Sequence, residues 1–198
     1  MTRLTRTAMS AAVAAASTCL MAAPGLARTF EVRYTPFAAD GSLREGLRAT
    51  PGFGGACTTG SFVVAGPGVF RCVAASSIYD PCYLDATAAG AQGRPVVACV
   101  DSPWSQNVLR LRIGEPLDGR YGARADGPPW ALRLASGRRC VRVSGAAAVV
   151  EGRRMNYSCG PRYLFGSPDR SRATWQIRQA LTPGGIGMRE VAIAAAWR

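Results

Sequence analysis

The chain has 198 residues and 24 basic residues, all of them arginine, because neither lysine nor histidine occurs in the sequence. Without histidine there is no Ser-His-Asp or Cys-His device and no His-ligated zinc, and without lysine there is no Schiff base or P-loop lysine. Twelve acidic residues leave a formal net charge of +12 and a pI near 10.3, a balance that favours an acidic partner.

The N-terminus has the three parts of a secretory signal peptide. Arg3 and Arg6 form a basic segment, an alanine-rich apolar run follows, and residues 25–27 provide a small-x-small cleavage motif. We expect cleavage after Ala27, so residues 1–27 are the signal peptide. Removing Arg3 and Arg6 leaves 22 arginines against 12 acids, a net charge of +10. The apolar run is too short and too weakly hydrophobic to favour a membrane anchor, and we expect no span in the mature protein.

The cysteines of the mature chain predict a disulfide framework. Six remain after Cys19 is removed with the signal peptide, and an even number in an exported chain is typical of disulfides. Six cysteines allow 15 pairings, so the sequence alone leaves the connectivity open. The intervals of 14, 16 and 18 residues favour three local pairs: Cys57 with Cys72, Cys82 with Cys99, and Cys140 with Cys159. No C-x-x-C spacing or histidine is present to complete a metal site, and we expect no metal and no cofactor.

Short strands separated by glycine and proline turns are predicted along the mature chain. Residues 108–113 alternate, so that Leu109 and Leu111 face one side while Arg110 and Arg112 face the other. Other predicted strands cover residues 62–64, 96–98, 132–134, 141–143, 148–150, 175–177 and 191–197. No segment has a helical period with caps. The predicted fold class is mainly β, an antiparallel sandwich or barrel.

A weak internal repeat suggests two β-subdomains. Each copy has a cysteine-closed hairpin, an Asp/Pro turn and a tryptophan before a strand, Trp104 in the first and Trp175 in the second. The alternative is a set of cysteine-linked hairpins without a repeat. If the repeat is real, residues 28–114 form a subdomain with two disulfides. Residues 115–130 then connect it to a second subdomain with one disulfide at 131–198.

Several of these motifs together resemble a known family. They are residues 70–72, 78–82, 96–99 with 103–105, 157–159, and 164–171 with Trp175. The pattern is similar to a family of exported, uncharacterised proteins from high-GC bacteria, over about residues 57–197. Because the motifs are structural, the resemblance implies an exported, disulfide-bonded β domain and carries no activity.

An enzyme with this composition would depend on carboxylates. A glycosidase needs two of them across a cleft, and the best candidates are Asp80, Asp101 and Asp169, each in a turn beside an aromatic or a tryptophan-led strand. Aspartates next to prolines are also ordinary turn residues that bind nearby backbone N–H groups. We favour the turn interpretation, and therefore a role other than catalysis.

The candidate binding residues are arginines and one tryptophan. Guanidinium groups bind phosphates and carboxylates bidentately, and the arginines that could form a patch are Arg110, Arg112, Arg138, Arg139 and Arg142. The alternative is that arginine reflects codon usage in a high-GC genome. Trp130 follows two prolines and is a candidate aromatic contact, although burial is the favoured interpretation.

We expect a binding or structural protein of the cell envelope, exported to the periplasm or the exterior. Its partner would be an anionic envelope polymer or an acidic protein. No nucleic-acid-binding motif occurs, and nothing in the sequence indicates the oligomeric state. The competing hypothesis is a carboxylate-dependent hydrolase acting on an envelope glycan.

Overall fold

The protein is described here by a computed structural model that covers residues 28–52, 54–89, 94–117, 127–150, 152–182 and 187–198. The predicted signal peptide lies outside these residues. All the regular secondary structure within them is β-strand, fourteen strands in total, so the mainly-β prediction is confirmed. The covered residues contain no helix of the length and hydropathy needed to cross a membrane.

Six antiparallel strands form a closed barrel, in the order β14-β13-β12-β11-β9-β8, with β8 pairing back to β14. They are β8 (Ala131–Leu134), β9 (Arg139–Arg142), β11 (Arg153–Ser158), β12 (Tyr163–Asp169), β13 (Gln176–Ala180) and β14 (Met188–Trp197). Two short strands extend the barrel: β1 (Phe30–Val32) pairs parallel with β14, and β10 (Val149–Val150) pairs with β11.

The other six strands form a second sheet, called the N-terminal sheet below, in the order β2-β7-β6-β5-β4-β3. They are β2 (Arg48–Pro51), β3 (Ala56–Gly60), β4 (Val69–Ala74), β5 (Ser77–Ala89), β6 (Pro95–Cys99) and β7 (Asn107–Arg112). All neighbours are antiparallel except β2 and β7. An isolated bridge between Gly55 and Ile113 brings the start of β3 to the end of β7, so this sheet curls back onto itself.

The three predicted disulfides are confirmed. Cys57–Cys72 links β3 to β4, Cys82–Cys99 links β5 to β6, and Cys140–Cys159 links β9 to the end of β11, with Cα–Cα distances of 4.0, 3.9 and 4.2 Å. In the first two pairs the cysteines are direct partners in the strand register. The hairpin-sized intervals in the sequence therefore correspond to cysteines on neighbouring strands. In the chain-entropy model, each disulfide stabilises the folded protein by about 3 kcal/mol.

Residues 62–64 were predicted to be a strand, and this is wrong. They lie in the loop between β3 and β4, because side chains rather than a neighbouring strand satisfy their backbone. The Ser61 hydroxyl accepts hydrogen bonds from the N–H groups of Val63 (3.1 Å) and Val64 (2.9 Å), and Asp80 accepts one from Phe62 N–H (3.1 Å). Val63 and Val64 are buried without being in a sheet.

Four apolar clusters of the described residues stabilise the fold, two in the barrel, one in the N-terminal sheet and one at the junction of the barrel with that sheet. The larger barrel cluster is built on Leu132, Tyr157 and Trp175, as expected for a tryptophan preceding a strand. The junction cluster combines Trp130 with residues of the N-terminal sheet. Strand β1 precedes that sheet in the chain but pairs with β14 of the barrel. The division into subdomains at 28–114 and 131–198 stays a prediction.

The turn between β4 and β5 offers a stability test. Its two central residues, Ala75 (φ 48°) and Ser76 (φ 65°), both have positive φ, as a type I′ hairpin turn requires. Asn-Gly adopts this conformation with much less strain than Ala-Ser. We expect the A75N/S76G variant to gain about 1–2 kcal/mol in its free energy of unfolding, measured by urea denaturation. A loss of stability would show that the turn has another conformation.

Candidate functional site

A surface depression of about 620 Å³ lies at one end of the N-terminal sheet. Four backbone segments meet there: the glycines before β3, the β4–β5 turn, the residue before β6 and the end of β7. Its lining residues are Gly54, Gly55, Ala56, Val73, Ala74, Ala75, Arg94, Arg112, Ile113 and Gly114. We call this depression the arginine pocket.

Glycine allows the close approach that shapes the arginine pocket. A Cβ atom on Gly55 would come within 3.0 Å of the Val73 carbonyl oxygen and 3.3 Å of the Ala74 Cβ. The Gly55 N–H group instead donates to the Arg112 carbonyl at 3.1 Å, and Gly114 N–H donates to the Gly55 carbonyl at 3.3 Å. The start of β3 and the end of β7 are therefore held together within the lining of the arginine pocket.

Arg94 and Arg112 give the arginine pocket its charge. Arg112 pairs with Val96 across β6 and β7, and Pro95 accepts a hydrogen bond from Ile113 N–H at 2.9 Å, so both arginines lie at the same end of two adjacent strands. Both are exposed. Among the residues that the structure describes, neither guanidinium has an ion-pair partner and none of the lining side chains is acidic. The arrangement suits an anion.

Arg110 does not share the exposed face predicted for it with Arg112. Its guanidinium forms an ion pair with Asp85, whose side chain is 1% exposed. Asp85 also accepts hydrogen bonds from the Thr87 N–H (3.1 Å) and hydroxyl (2.8 Å) groups. A buried carboxylate requires a cationic partner. Arg110 therefore has a structural role, because it stabilises the buried Asp85. On the same side of β7, Val108 is fully buried, which the alternating pattern did not anticipate.

The three predicted arginines of the barrel each have a separate local partner. Arg138 donates to the Cys159 carbonyl at 3.5 Å, and Arg139 lies over the Trp104 ring at 5.4 Å from its centroid. Arg142 is half-buried, and its charge acts on Asp80 and Tyr157. Of the five predicted arginines, only Arg112 lines the arginine pocket.

Trp130 is a core residue, which agrees with burial as the favoured interpretation and excludes it as an aromatic contact. It is 1% exposed, and its ring centroid lies 5.2 Å from that of Tyr34. Its backbone belongs to the barrel, because its N–H donates to the Trp197 carbonyl at 2.8 Å. Its side chain packs in the junction cluster with residues of the N-terminal sheet. Trp130 is therefore unable to contact a ligand at the surface.

Asp80 is the most buried of the three candidate catalytic aspartates, with a side chain that is 0% exposed. It accepts hydrogen bonds from the Ser61 hydroxyl and from Phe62 N–H, and Arg71 Nη1 lies 3.6 Å from its Oδ2. Burial raises the pKa of Asp80, and these hydrogen bonds and the charges of Arg71 and Arg142 partly offset that rise. Because its partners are structural, Asp80 fixes the loop after β3 rather than facing a cleft.

Asp101 and Asp169 are both exposed. Asp101 lies in a bend after β6. Asp169 accepts a hydrogen bond from Ser171 N–H at 2.9 Å, which lowers the pKa of its carboxyl group. It also lines a second depression of about 550 Å³ on the barrel, together with Glu190 and three arginines, Arg153, Arg154 and Arg178. The Asp169 geometry is that of an Asx turn.

Two tyrosines, Tyr83 and Tyr157, are buried in the core. The Tyr157 hydroxyl donates to the Pro129 carbonyl at 2.7 Å, and burial raises the pKa of Tyr157. Burial also raises the pKa of Tyr83, and the nearby Tyr34 and Asp80 raise it further. Both residues therefore stay neutral in the folded protein at a pH where the same tyrosines would ionise in the unfolded chain.

This burial predicts a loss of stability at alkaline pH. A tyrosine whose pKa is higher folded than unfolded leaves stability unchanged below about pH 10, and stability falls as the pH rises above that value. We expect a decrease of up to about 1.4 kcal/mol per pH unit for each of Tyr83 and Tyr157. Urea denaturation between pH 9 and 11.5 measures it. Y157F should give a shallower slope, and an equal slope in both proteins would contradict the burial of Tyr157.

The one group of potential metal ligands among the described residues consists of disulfide-bonded cysteines. Within the described residues, one group of three has ligand atoms within 4.8 Å of one another, Cys72, Cys82 and Cys99. Each of these sulfur atoms is already in a disulfide, and a disulfide sulfur has no thiolate to offer a metal.

Arg94 and the glycines of the arginine pocket were missed at the sequence level. Arg94 stands directly before the predicted strand at 96–98, and Gly54-Gly55 precedes Cys57. Comparison with family models, with curated proteins and with solved structures finds no match to this chain. The fold and the pocket define a disulfide-stabilised all-β protein with a cationic surface depression.

Proposed function

We propose that this is an exported binding protein of the cell envelope that holds an anionic group in the arginine pocket. The observation that carries the proposal is the pair Arg94 and Arg112, two exposed guanidinium groups in a depression with no acidic lining residue among those described. Phosphate and carboxylate oxygens accept bidentate hydrogen bonds from guanidinium groups. A volume of about 620 Å³ is in the range that holds a small ligand or one unit of a polymer.

The compartment supports the same proposal. Three disulfides favour an oxidising, non-cytoplasmic environment, and the predicted signal peptide would deliver the chain there. The partner is then a phosphate-bearing polymer of the envelope. Because both arginines are exposed, the interaction is screened by salt.

Calorimetric titration of the mature chain, residues 28–198, with inorganic polyphosphate tests this proposal. We expect R94Q/R112Q to lower the affinity by about tenfold or more, since each charge-assisted hydrogen bond is worth at least about 1.5 kcal/mol. The matched control is R48Q/R133Q, which removes the same charge from two exposed positions outside the pocket. An equal loss in both variants, or binding unaffected by about 0.5 M salt, would count against the pocket.

The hydrolase alternative rests on the barrel depression, where Asp169 and Glu190 are both lining residues. Such an enzyme needs one carboxyl group that stays protonated near neutral pH. The pKa of Asp169 is lowered, and Asp80, whose pKa is raised, is buried elsewhere. Binding is therefore the better-supported function. Hydrolysis of an envelope glycan that is lost in both D169N and E190Q would reverse this choice.

A further inference from the structure

Two disulfides of the N-terminal sheet lie next to each other. The Sγ atoms of Cys72, Cys82 and Cys99 all lie within 4.8 Å of one another, although Cys72 is bonded to Cys57 and the other two are bonded together. The cause is the strand order, because β4 and β5 are neighbours and each carries a disulfide to its other neighbour. The third disulfide, Cys140–Cys159, belongs to the barrel.

The four cysteine residues differ in exposure. Cys72 and Cys82 are fully buried and Cys99 is 4% exposed, whereas Cys57 is only partly buried on the edge strand β3. A thiol from solution therefore reaches Cys57 first. Thiol–disulfide exchange depends on which sulfur is accessible as well as on thiolate chemistry.

We propose that Cys57 is a modification site for a low-molecular-weight thiol and that the neighbouring disulfide makes the adduct persist. The external thiolate attacks Cys57 Sγ, a mixed disulfide forms, and the Cys57–Cys72 bond breaks with its electron pair on Cys72 Sγ. The Cys72 thiolate then attacks Cys82 or Cys99. A new disulfide to Cys72 forms, the Cys82–Cys99 bond breaks, and its electron pair leaves on the remaining cysteine, which takes a proton from solvent.

This second step explains why the adduct would last. In an isolated disulfide the released thiolate attacks the mixed disulfide and expels the external thiol. Here the thiolate of Cys72 has a second disulfide within reach, and reversible exchange with it divides the free thiolate among Cys72, Cys82 and Cys99. The external thiol is expelled only while the thiolate is on Cys72, so the modification reverses more slowly. No further oxidant or reductant is needed, since each step exchanges one disulfide for another.

Two cysteine variants test the proximity on which the proposal rests. C57S leaves one unpaired thiol, on Cys72, and C140S leaves one on Cys159. After acid quenching, alkylation in denaturant and peptide mapping, we expect at least about a tenth of the label in C57S on Cys82 or Cys99. In C140S, the matched control, all label should be on Cys159. Label confined to Cys72 in folded C57S would overturn the proposal.

The unmodified sequence gives a test that does not depend on a variant folding. The mature protein, with its disulfides formed, is incubated with millimolar reduced glutathione at pH 8 and then acid-quenched and mapped without reduction. We expect glutathione on Cys57 together with a Cys72–Cys82 or Cys72–Cys99 bond. Recovery of native disulfides only, or glutathione spread equally over Cys57 and the Cys140–Cys159 pair, would overturn the proposal.

Discussion

Replacement of Trp130 by alanine is expected to lower the free energy of unfolding by about 3–5 kcal/mol. The side chain is 1% exposed, and it fills the junction cluster together with Val64, Tyr83 and Val108. Its removal leaves a cavity between the barrel and the N-terminal sheet. The surrounding structure can fill this cavity only partly, because backbone hydrogen bonds hold Trp130 to Trp197 and Arg142. The loss of stability therefore includes the free energy of burying the removed side chain and the additional cost of the cavity that remains.

Denaturation by urea measures this loss, with W130F as the conservative control. Phenylalanine keeps most of the apolar volume, so W130F should lose clearly less than W130A. Trp104 provides a second comparison, because it is only half-buried and makes an edge-to-face contact with Trp197, with ring centroids 5.0 Å apart. W104A should lose less than W130A. A loss below about 1 kcal/mol in W130A would contradict the placement of this residue in the core.

Replacement of Asp80 by alanine is expected to cost about 3–5 kcal/mol. The carboxylate is the shared acceptor for Ser61 and the Phe62 N–H group, and it is the ion-pair partner of Arg71. Alanine leaves the partly buried Ser61 hydroxyl and the buried Arg71 Nη1 without their partner, and the penalty for unsatisfied buried groups exceeds the net worth of the bonds. The loop that carries Val63 and Val64 into the core would lose its attachment.

The pH dependence of Asp80 separates its charge from its hydrogen bonds. The pKa of Asp80 is higher in the folded protein than the ordinary value of 3.8. The extra stability that comes from protonation of Asp80 is therefore fully present below 3.8 and is lost as the pH rises through the folded pKa. D80N keeps one acceptor oxygen and does not titrate. The stability difference between wild type and D80N should therefore grow in favour of wild type from pH 7 to pH 4. A difference that shrinks over this range would contradict the raised pKa.

The fold class and disulfides were predictable because both depend on short-range patterns. The alternation at residues 108–113 is a local signal, and the structure has strand β7 at this position. The hairpin-sized intervals between cysteines are also local signals, and the structure has the three local disulfides that they predict. Residues 62–64 show where such a signal fails. Their apolar run is buried, but Ser61 and Asp80, 19 positions apart, satisfy the backbone, and no local pattern encodes that contact.

The site residues were harder to predict because their roles depend on distant neighbours. Arg110 and Arg112 look equivalent in the sequence, yet Asp85, 25 positions away, takes only Arg110 into an ion pair. Arg94 becomes a partner of Arg112 only when β6 and β7 pair. Trp130 is buried because the N-terminal sheet packs on it. Each outcome depends on strand pairing or sheet packing rather than on residue type.

Mapping of amide chemical shifts during titration with inorganic polyphosphate tests the central claim most directly. If the arginine pocket is the binding site, the largest shifts should occur at Gly54, Gly55, Gly114 and the amides of Arg94 and Arg112, and they should disappear in R94Q/R112Q. Largest shifts at Arg153, Arg154 and Arg178 would place the anion in the barrel depression and contradict the account.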